Sequence, residues 1–428
     1  MHKILLIIFI SVTTTISGFP QYKESLKEAF FDAEYYILYE DFNEALSLYI
    51  NLQNNGYDNA YINHRIGECY LQIPGQKHKS IPYLEKACEG ISMSIKEGSF
   101  KEKNAPIRTI FYLASAYQTN NQLDKAIETF NKFKTTLANQ NIYNTDYIDR
   151  QIESCETAKK LINNPLKITE TNIGELINDN FPNIRPVISA DENSMVFISR
   201  KKFYDAIYYS KKENGNWITP LNITPDLNSD GNYYTCFLSG NGKTLLLNKD
   251  ENFNKDIYIS YLKNDKWSIP VKLNKNINSK FQESFASLSE DGKTIYFVSD
   301  RKGGYGGTDI YKSNFNEETQ GWGQAVNLGN SINTPFNEEN PIVCDNDNIL
   351  YFSSEGHQNM GGFDIFYSKK LTNDWSIPKN LGYPINTTND NLSFFPIKDG
   401  KFAYTSKFDK SGFGLEDIVK IEILSSGN

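Results

Sequence analysis

Histidine and cysteine are scarce in this chain, four and five residues among 428, and neither forms a pattern suited to chemistry. His2, His64, His78 and His357 make no pair at helical or zinc-fingerprint spacing, so no metal centre is expected. The cysteines, Cys69, Cys88, Cys155, Cys236 and Cys344, are odd in number and cannot all pair internally. All five are expected to behave as small buried hydrophobes. Basic residues are in deficit, 44 Lys and Arg against 52 Asp and Glu, for a formal charge of -8. With no basic tract there is no counterion release to drive nucleic-acid binding, and no attraction to an anionic lipid surface. Past the N-terminus no run approaches the ~18 apolar residues of a membrane-spanning helix. A Gly-x-Ser-x-Gly elbow is also missing, which removes the usual hydrolase nucleophile.

What is present falls into three segments. Residues 1–18 have the layout of a secretory signal peptide: a short basic start at Met1-His2-Lys3, an apolar stretch from Ile4 to Ile16, and small residues at Ser17-Gly18. No Cys follows the apolar stretch, so a lipoprotein anchor is not expected, and the mature chain should be soluble outside the cytoplasm. Residues 19–162 carry helical periodicity in three related units. The first has Ala33, Tyr36, Ala45, Tyr49 and Leu52; the second Gly67, Tyr70, Ile81, Leu84 and Ala87; the third Ala114, Tyr117, Ala126, Phe130 and Phe133. Small residues let antiparallel helices approach, and aromatics fill the groove between them. A last helix, Tyr147 to Ile162, has Ile148, Ile152, Cys155 and Ala158 on one face and is expected to cap the stack.

From residue 163 to 428 the texture changes to short alternating strands broken by Asn, Asp and Gly turns. An Ile-Asn or Leu-Asn pair recurs at Asn178, Asn228, Asn278, Asn333 and Asn386, at spacings of 50, 50, 55 and 53. An Asp opens an apolar strand at Asp205, Asp256, Asp309, Asp364 and Asp417, and all four tryptophans, Trp217, Trp267, Trp322 and Trp375, share one further position. Five four-stranded units of about 50 residues predict a five-bladed β-propeller. The fifth unit ends without a Trp-bearing fourth strand, while a spare one precedes the first. Residues 165–173 are therefore expected to complete the last blade and close the ring. The fold class is thus α + β multidomain, a helical repeat array followed by a propeller.

The helical units resemble the tetratricopeptide (TPR) family through Asp41-Phe42-Asn43-Glu44-Ala45 and Asn121-Gln122-Leu123-Asp124-Lys125-Ala126, departing where Tyr57 replaces the family's closing Pro. The stretch Leu288-Ser289-Glu290-Asp291-Gly292-Lys293-Thr294 and the loop Gly303-Gly304-Tyr305-Gly306-Gly307-Thr308-Asp309 resemble WD40-like repeats of the TolB type. Helical repeats followed by such a propeller are similar to a group of Bacteroidota cell-envelope proteins, among them a periplasmic component of the type IX secretion and gliding apparatus. Those proteins usually continue into an OmpA-like domain and often carry a lipobox; neither is expected here, so the resemblance carries over neither wall attachment nor lipid anchoring. The resemblance implies an exported, non-enzymatic protein-interaction scaffold, periplasmic or outer-membrane-associated. Its partners would be envelope proteins or a glycan, with no cofactor.

Other motifs reduce to turns. Gly242-Lys243-Thr244 has Phe237 where a phosphate-binding loop needs Gly, and the tripeptide recurs at Gly292. Asp345-Asn346-Asp347-Asn348 lacks the downstream Gly and Glu of a calcium loop. Glu283 and Glu338 align near the starts of inner strands, where they would face the central channel. With Asp300 and Arg301 they are the binding candidates, and as a carboxylate pair they carry the alternative of a glycoside hydrolase. The counterparts Asn183, Tyr233 and Asn391 favour a polar rim, and a glycan- or peptidoglycan-binding module is the other alternative.

Overall fold

The computed structural model describes residues 18–138, 145–251, 254–372 and 374–424, with side chains from Ser25 onward. The expected signal peptide, apart from Gly18, lies outside the described residues. The chain packs as two compact units, one ending at Ala116 and the other beginning at Tyr117.

The first unit contains α1 (Gly18–Leu38), α2 (Phe42–Asn54), α3 (Ala60–Gln72), α4 (Ser80–Ala87) and the start of α5 (Thr109–Thr119). Asp41 and Asn59 cap α2 and α3 by accepting the Glu44 and Ile62 amides, each satisfying an N-terminal donor the helix cannot. Ala33, Ala45 and Ala87 are fully buried, and a Cβ on Gly67 would sit 2.5 Å from Leu84, so small residues do set the helix approach. The aromatics between the helices are held by a polar lock. The Tyr49 and Tyr61 hydroxyls donate to Glu34 at 2.7 and 3.1 Å, and Arg65 bridges Glu34 and Glu68.

Helical periodicity does not run unbroken through residues 19–162. Residues 91–108 leave the helical path, and Ile91–Ser92 pairs in parallel with Ala105–Pro106. Gly98, at φ +67, and Pro106 cannot continue a helix. The excursion is anchored by Phe100, whose ring meets those of Phe30 at 5.6 Å and Tyr57 at 4.7 Å.

After the end of α5, the second unit contains α6 (Leu123–Leu137) and α7 (Asp146–Ile162) and continues into five antiparallel sheets. Their innermost strands are Asn183–Ile188, Tyr233–Leu238, Glu283–Leu288, Glu338–Cys344 and Phe395–Ile397. In the first three blades the fourth strand is broken in two. In the third blade, for example, Gly321–Trp322 and Val326–Asn327 both pair with Asp309–Asn316. The fifth blade takes its outer strand from Ile168–Asn172, which runs antiparallel to Glu416–Ile423 with Ile168 opposite Ile423 and Asn172 opposite Val419. The two ends of the repeat region therefore share one sheet.

The recurring Asn and Asp residues are internal bolts. Asn278 accepts the Ile257 amide at 2.7 Å and donates to its carbonyl at 2.8 Å. Asn333 does the same to Ile310, Asn386 to Ile365, and Asn178 to Ile418. Each side chain thus accepts the amide of the residue after the repeated Asp, and shares its carbonyl with an outer-strand amide such as that of Leu273 or Leu328. In the first blade Thr224 accepts the Ile207 amide instead, and Asn228 is exposed. In the last three blades the repeated Asp ties down a Gly-rich loop. Asp309 accepts the Tyr305 and Gly306 amides, and Asp417 those of Phe413 and Gly414.

Against expectation, α7 buries Gln151 and Ser154, while Ile152 is only half-buried. This face meets polar loops of the fourth blade. Arg150 donates to the carbonyls of Glu355 (2.8 Å), Gly356 and His357, and its guanidinium lies 4.7 Å from the Phe336 ring. Ser154 donates to Asn359. Of the five cysteines, all free, Cys69, Cys155 and Cys236 are buried, but Cys88 and Cys344 are half-exposed, contrary to the expectation of five buried ones.

Candidate functional site

Glu283 and Glu338, expected on a polar channel rim, are fully buried and close loops. Glu283 accepts the Ser279 amide and hydroxyl (both 2.9 Å), the Ser299 hydroxyl (2.7 Å) and Arg301 (3.1 Å). Glu338 accepts the Thr334 amide (2.8 Å) and the Thr334 and Ser354 hydroxyls (both 2.7 Å). Their counterparts Asn183 and Asn391 likewise accept the amide four residues back, from Asp179 and Thr387. One position performs one task in four blades, with Glu or Asn equally able to accept. Burial raises both carboxyls above their ordinary range against these donors, Glu338 to about 7.

Asp300 accepts the Gln282 amide at 2.8 Å. Arg301 donates to the Ile277 carbonyl at 2.6 Å and sits about 5 Å from the Phe297 and Tyr311 rings. In the next blade His357 contacts the equivalent Ile332 carbonyl at 2.8 Å. Of the four candidates, only Glu283 and Arg301 are brought into direct contact, and that contact is an internal ion pair.

The open polar surface lies elsewhere, at one mouth of the central channel. Inner strands bulge between Ile184 and Val187, Glu283 and Ala286, and Glu339 and Ile342, with Arg185 and Asn340 in the left-handed region at φ 51 and 52. Bulges re-aim side chains. Here they open a cavity of about 470 Å³ lined from all five inner strands, with Arg185, Tyr234, Asn248, Lys255, Glu339 and Phe394 in its wall. A second cavity of about 250 Å³ shares Arg185, Arg200 and Phe394 with it. The Arg185 guanidinium lies 5.2 Å from the Tyr234 ring, and the Ser284 hydroxyl donates to Glu339 at 2.7 Å. The opposite mouth is a larger opening, about 1400 Å³, walled by Phe237, Phe395 and Ile397 beneath turns such as Asp291 and Asp345.

Sequence reasoning missed Arg185, Asn248 and Glu339 because it followed positions where the copies agree. Agreement between blades marks what holds every blade together. The channel wall is built where they differ: Arg185, Thr235 and Ser393 have no common chemistry. A search for the least repeated polar residues on inner strands would have reached them.

No family model matches this chain, and no curated protein matches it. Solved structures with a similar fold include TolB from Acinetobacter baumannii, 16% identical, covering 56% of this chain and 54% of that one with a TM-score of 0.37. A putative TolB from Agrobacterium tumefaciens is 16% identical, covering 61% and 86% with a TM-score of 0.38. The catalytic domain of Coprinopsis cinerea GH62 alpha-L-arabinofuranosidase is 10% identical, covering 60% and 97% at 0.38. The chain spans about half the length of the Acinetobacter TolB it matches. At such distances the blade count rests on this chain's own five sheets.

Proposed function

We propose that this chain is a non-enzymatic interaction scaffold exported to the bacterial cell envelope, with TPR-type helical pairs and a propeller each presenting a docking surface. The observation that carries the reading is an apolar stripe along one face of α1. Phe31, Tyr35, Leu38 and Tyr39, at i, i+4, i+7 and i+8, are 47%, 57%, 77% and 65% exposed, and the Tyr35 and Tyr39 rings are 4.6 Å apart. A clustered apolar face of this kind marks a protein interaction surface more often than a scattered one. Partners among secretion, gliding or outer-membrane assembly proteins are part of this proposal.

The glycoside hydrolase alternative asked Glu283 and Glu338 to act as paired acids, and both spend their oxygens on internal donors. The test is a crosslinked pull-down from the source envelope with the wild-type chain and a Tyr35→Ala/Leu38→Ala variant. A defined envelope protein should be recovered by the first and lost with the second. Identical recovery with both would refute the stripe as the docking surface, and an exclusively cytoplasmic location would refute the envelope role.

A further inference from the structure

The channel mouth contains two groups that the fold leaves unsatisfied. Asn248 is 2% exposed; its amide nitrogen donates to the Ser284 carbonyl, but its Oδ1 has no partner among the described residues. A buried acceptor without a donor costs roughly 1–3 kcal/mol, a cost that the Asn178, Asn278, Asn333 and Asn386 side chains avoid. Arg185, in the same wall, forms no ion pair or side-chain hydrogen bond among the described residues; its guanidinium rests on the Tyr234 ring alone. Asn248 ties the second blade to the third through its nitrogen alone, and the Arg185 guanidinium makes no tie among the described residues beyond its ring contact. The strained backbone at Arg185 is itself pinned, since its amide donates to Ser406 at 3.1 Å and its carbonyl accepts Thr235 at 2.7 Å. The structure therefore positions the guanidinium without using it.

We propose that this mouth binds a small sugar carrying a carboxylate. The chemistry of the wall selects that class. Arg185 presents a planar cation suited to a carboxylate, with Lys255 as a second positive charge. Asn248 Oδ1 and the half-buried Glu339 and Asp250 present acceptors for ligand hydroxyls. Tyr234, Phe285 and Phe394 supply flat apolar walls for the C–H faces of a pyranose ring. A cavity of about 470 Å³ lies in the range that encloses small ligands. A simple anion would satisfy Arg185 but not Asn248; a neutral sugar would do the reverse. The site stands on the propeller alone and does not depend on the helical stripe or its partner.

The test is titration calorimetry of the full chain with a glucuronate-containing disaccharide, the matching glucose disaccharide, and acetate. The glucuronate probe should bind at least ten-fold more tightly than either of the others. Arg185→Gln should weaken it about ten-fold, and Asn248→Leu should do so several-fold. Lys255→Gln, on a half-exposed side chain, serves as a second charge variant in case Asn248→Leu does not fold. Equal affinity for the glucose probe or for acetate would overturn the proposal. So would unchanged binding by Arg185→Gln in a chain with wild-type fluorescence, or no heat with the glucuronate probe at 10-fold excess over a ~1 mM site.

Discussion

Replacing Asn333 with Ala should destabilise the propeller by about 1–3 kcal/mol, although no binding or catalytic role is assigned to it. The Asn333 side chain is buried, donates to the Ile310 carbonyl (3.0 Å) and to Asn327 Oδ1 (2.8 Å), and accepts the Ile310 amide (2.8 Å). Ile310 is itself fully buried, so water cannot replace the lost partner without opening the blade. The Ile310 carbonyl keeps the Leu328 amide at 3.0 Å, so one backbone group, the Ile310 amide, is left unpaired, and the expected loss is roughly 1–3 kcal/mol. The chain supplies its own control. Asn228 occupies the same repeat position, yet is exposed, and Thr224 accepts the Ile207 amide at 2.8 Å in its place. Asn228→Gly, which suits its positive φ of 48, should change stability by less than about 0.5 kcal/mol. All four tryptophans lie in the propeller, so urea unfolding followed by tryptophan fluorescence reports on that unit without the first. Equal losses for Asn333→Ala and Asn228→Gly would refute the bolt reasoning, because they would mean that the repeated Asn acts through local turn conformation.

Further outcomes follow from other parts of the ring. Burial lifts Glu338 to about 7 from an ordinary 4.5, a gap equivalent to roughly 3 kcal/mol. The proton is held more tightly in the folded state, so this stability is present below about pH 4.5 and lost as pH rises through 7. Glu338→Gln stays neutral and should gain on the wild type between pH 5 and pH 8 in denaturation midpoint; parallel profiles would count against it. Gly306→Ala would place a Cβ 1.9 Å from the Phe336 carbonyl oxygen and should lower the melting temperature by several degrees, whereas Gly323→Ala, 3.2 Å from the Asn314 carbonyl oxygen, should be milder. Similar melting shifts for the two would remove close approach as the reason for glycine. Arg150→Ala removes the donor shared by three carbonyls of the fourth-blade loop, and α7 amides should then exchange hydrogen about ten-fold faster; unchanged exchange would show that apolar contacts alone hold the helix.

The repeat itself was legible because the same physical demands recur from blade to blade. In the last three blades the third strand needs its Gly-rich loop tied by Asp, and in four of the five its first amide is satisfied by Asn, so the spacing of these residues announces the blade. The helix pairs were legible for a related reason: close approach demands Ala or Gly, and aromatics fill what remains. Departures had physical causes outside any periodic pattern. Residues 91–108 leave the helical path on Gly98 and Pro106, and α7 buries Gln151 and Ser154 because its neighbour is a polar loop. The role of Glu283 and Glu338 could not be read from their alignment, since an accepting oxygen looks the same in one dimension whether it meets a ligand or an amide four residues back. Only tertiary structure decided that, by enclosing both carboxylates with their donors. It also placed Arg185 and Asn248, which come from different blades and match no repeat, in the wall of one cavity. Identity along the chain reports the interactions every blade must make, whereas a site at the ring's centre is assembled from what each blade contributes alone.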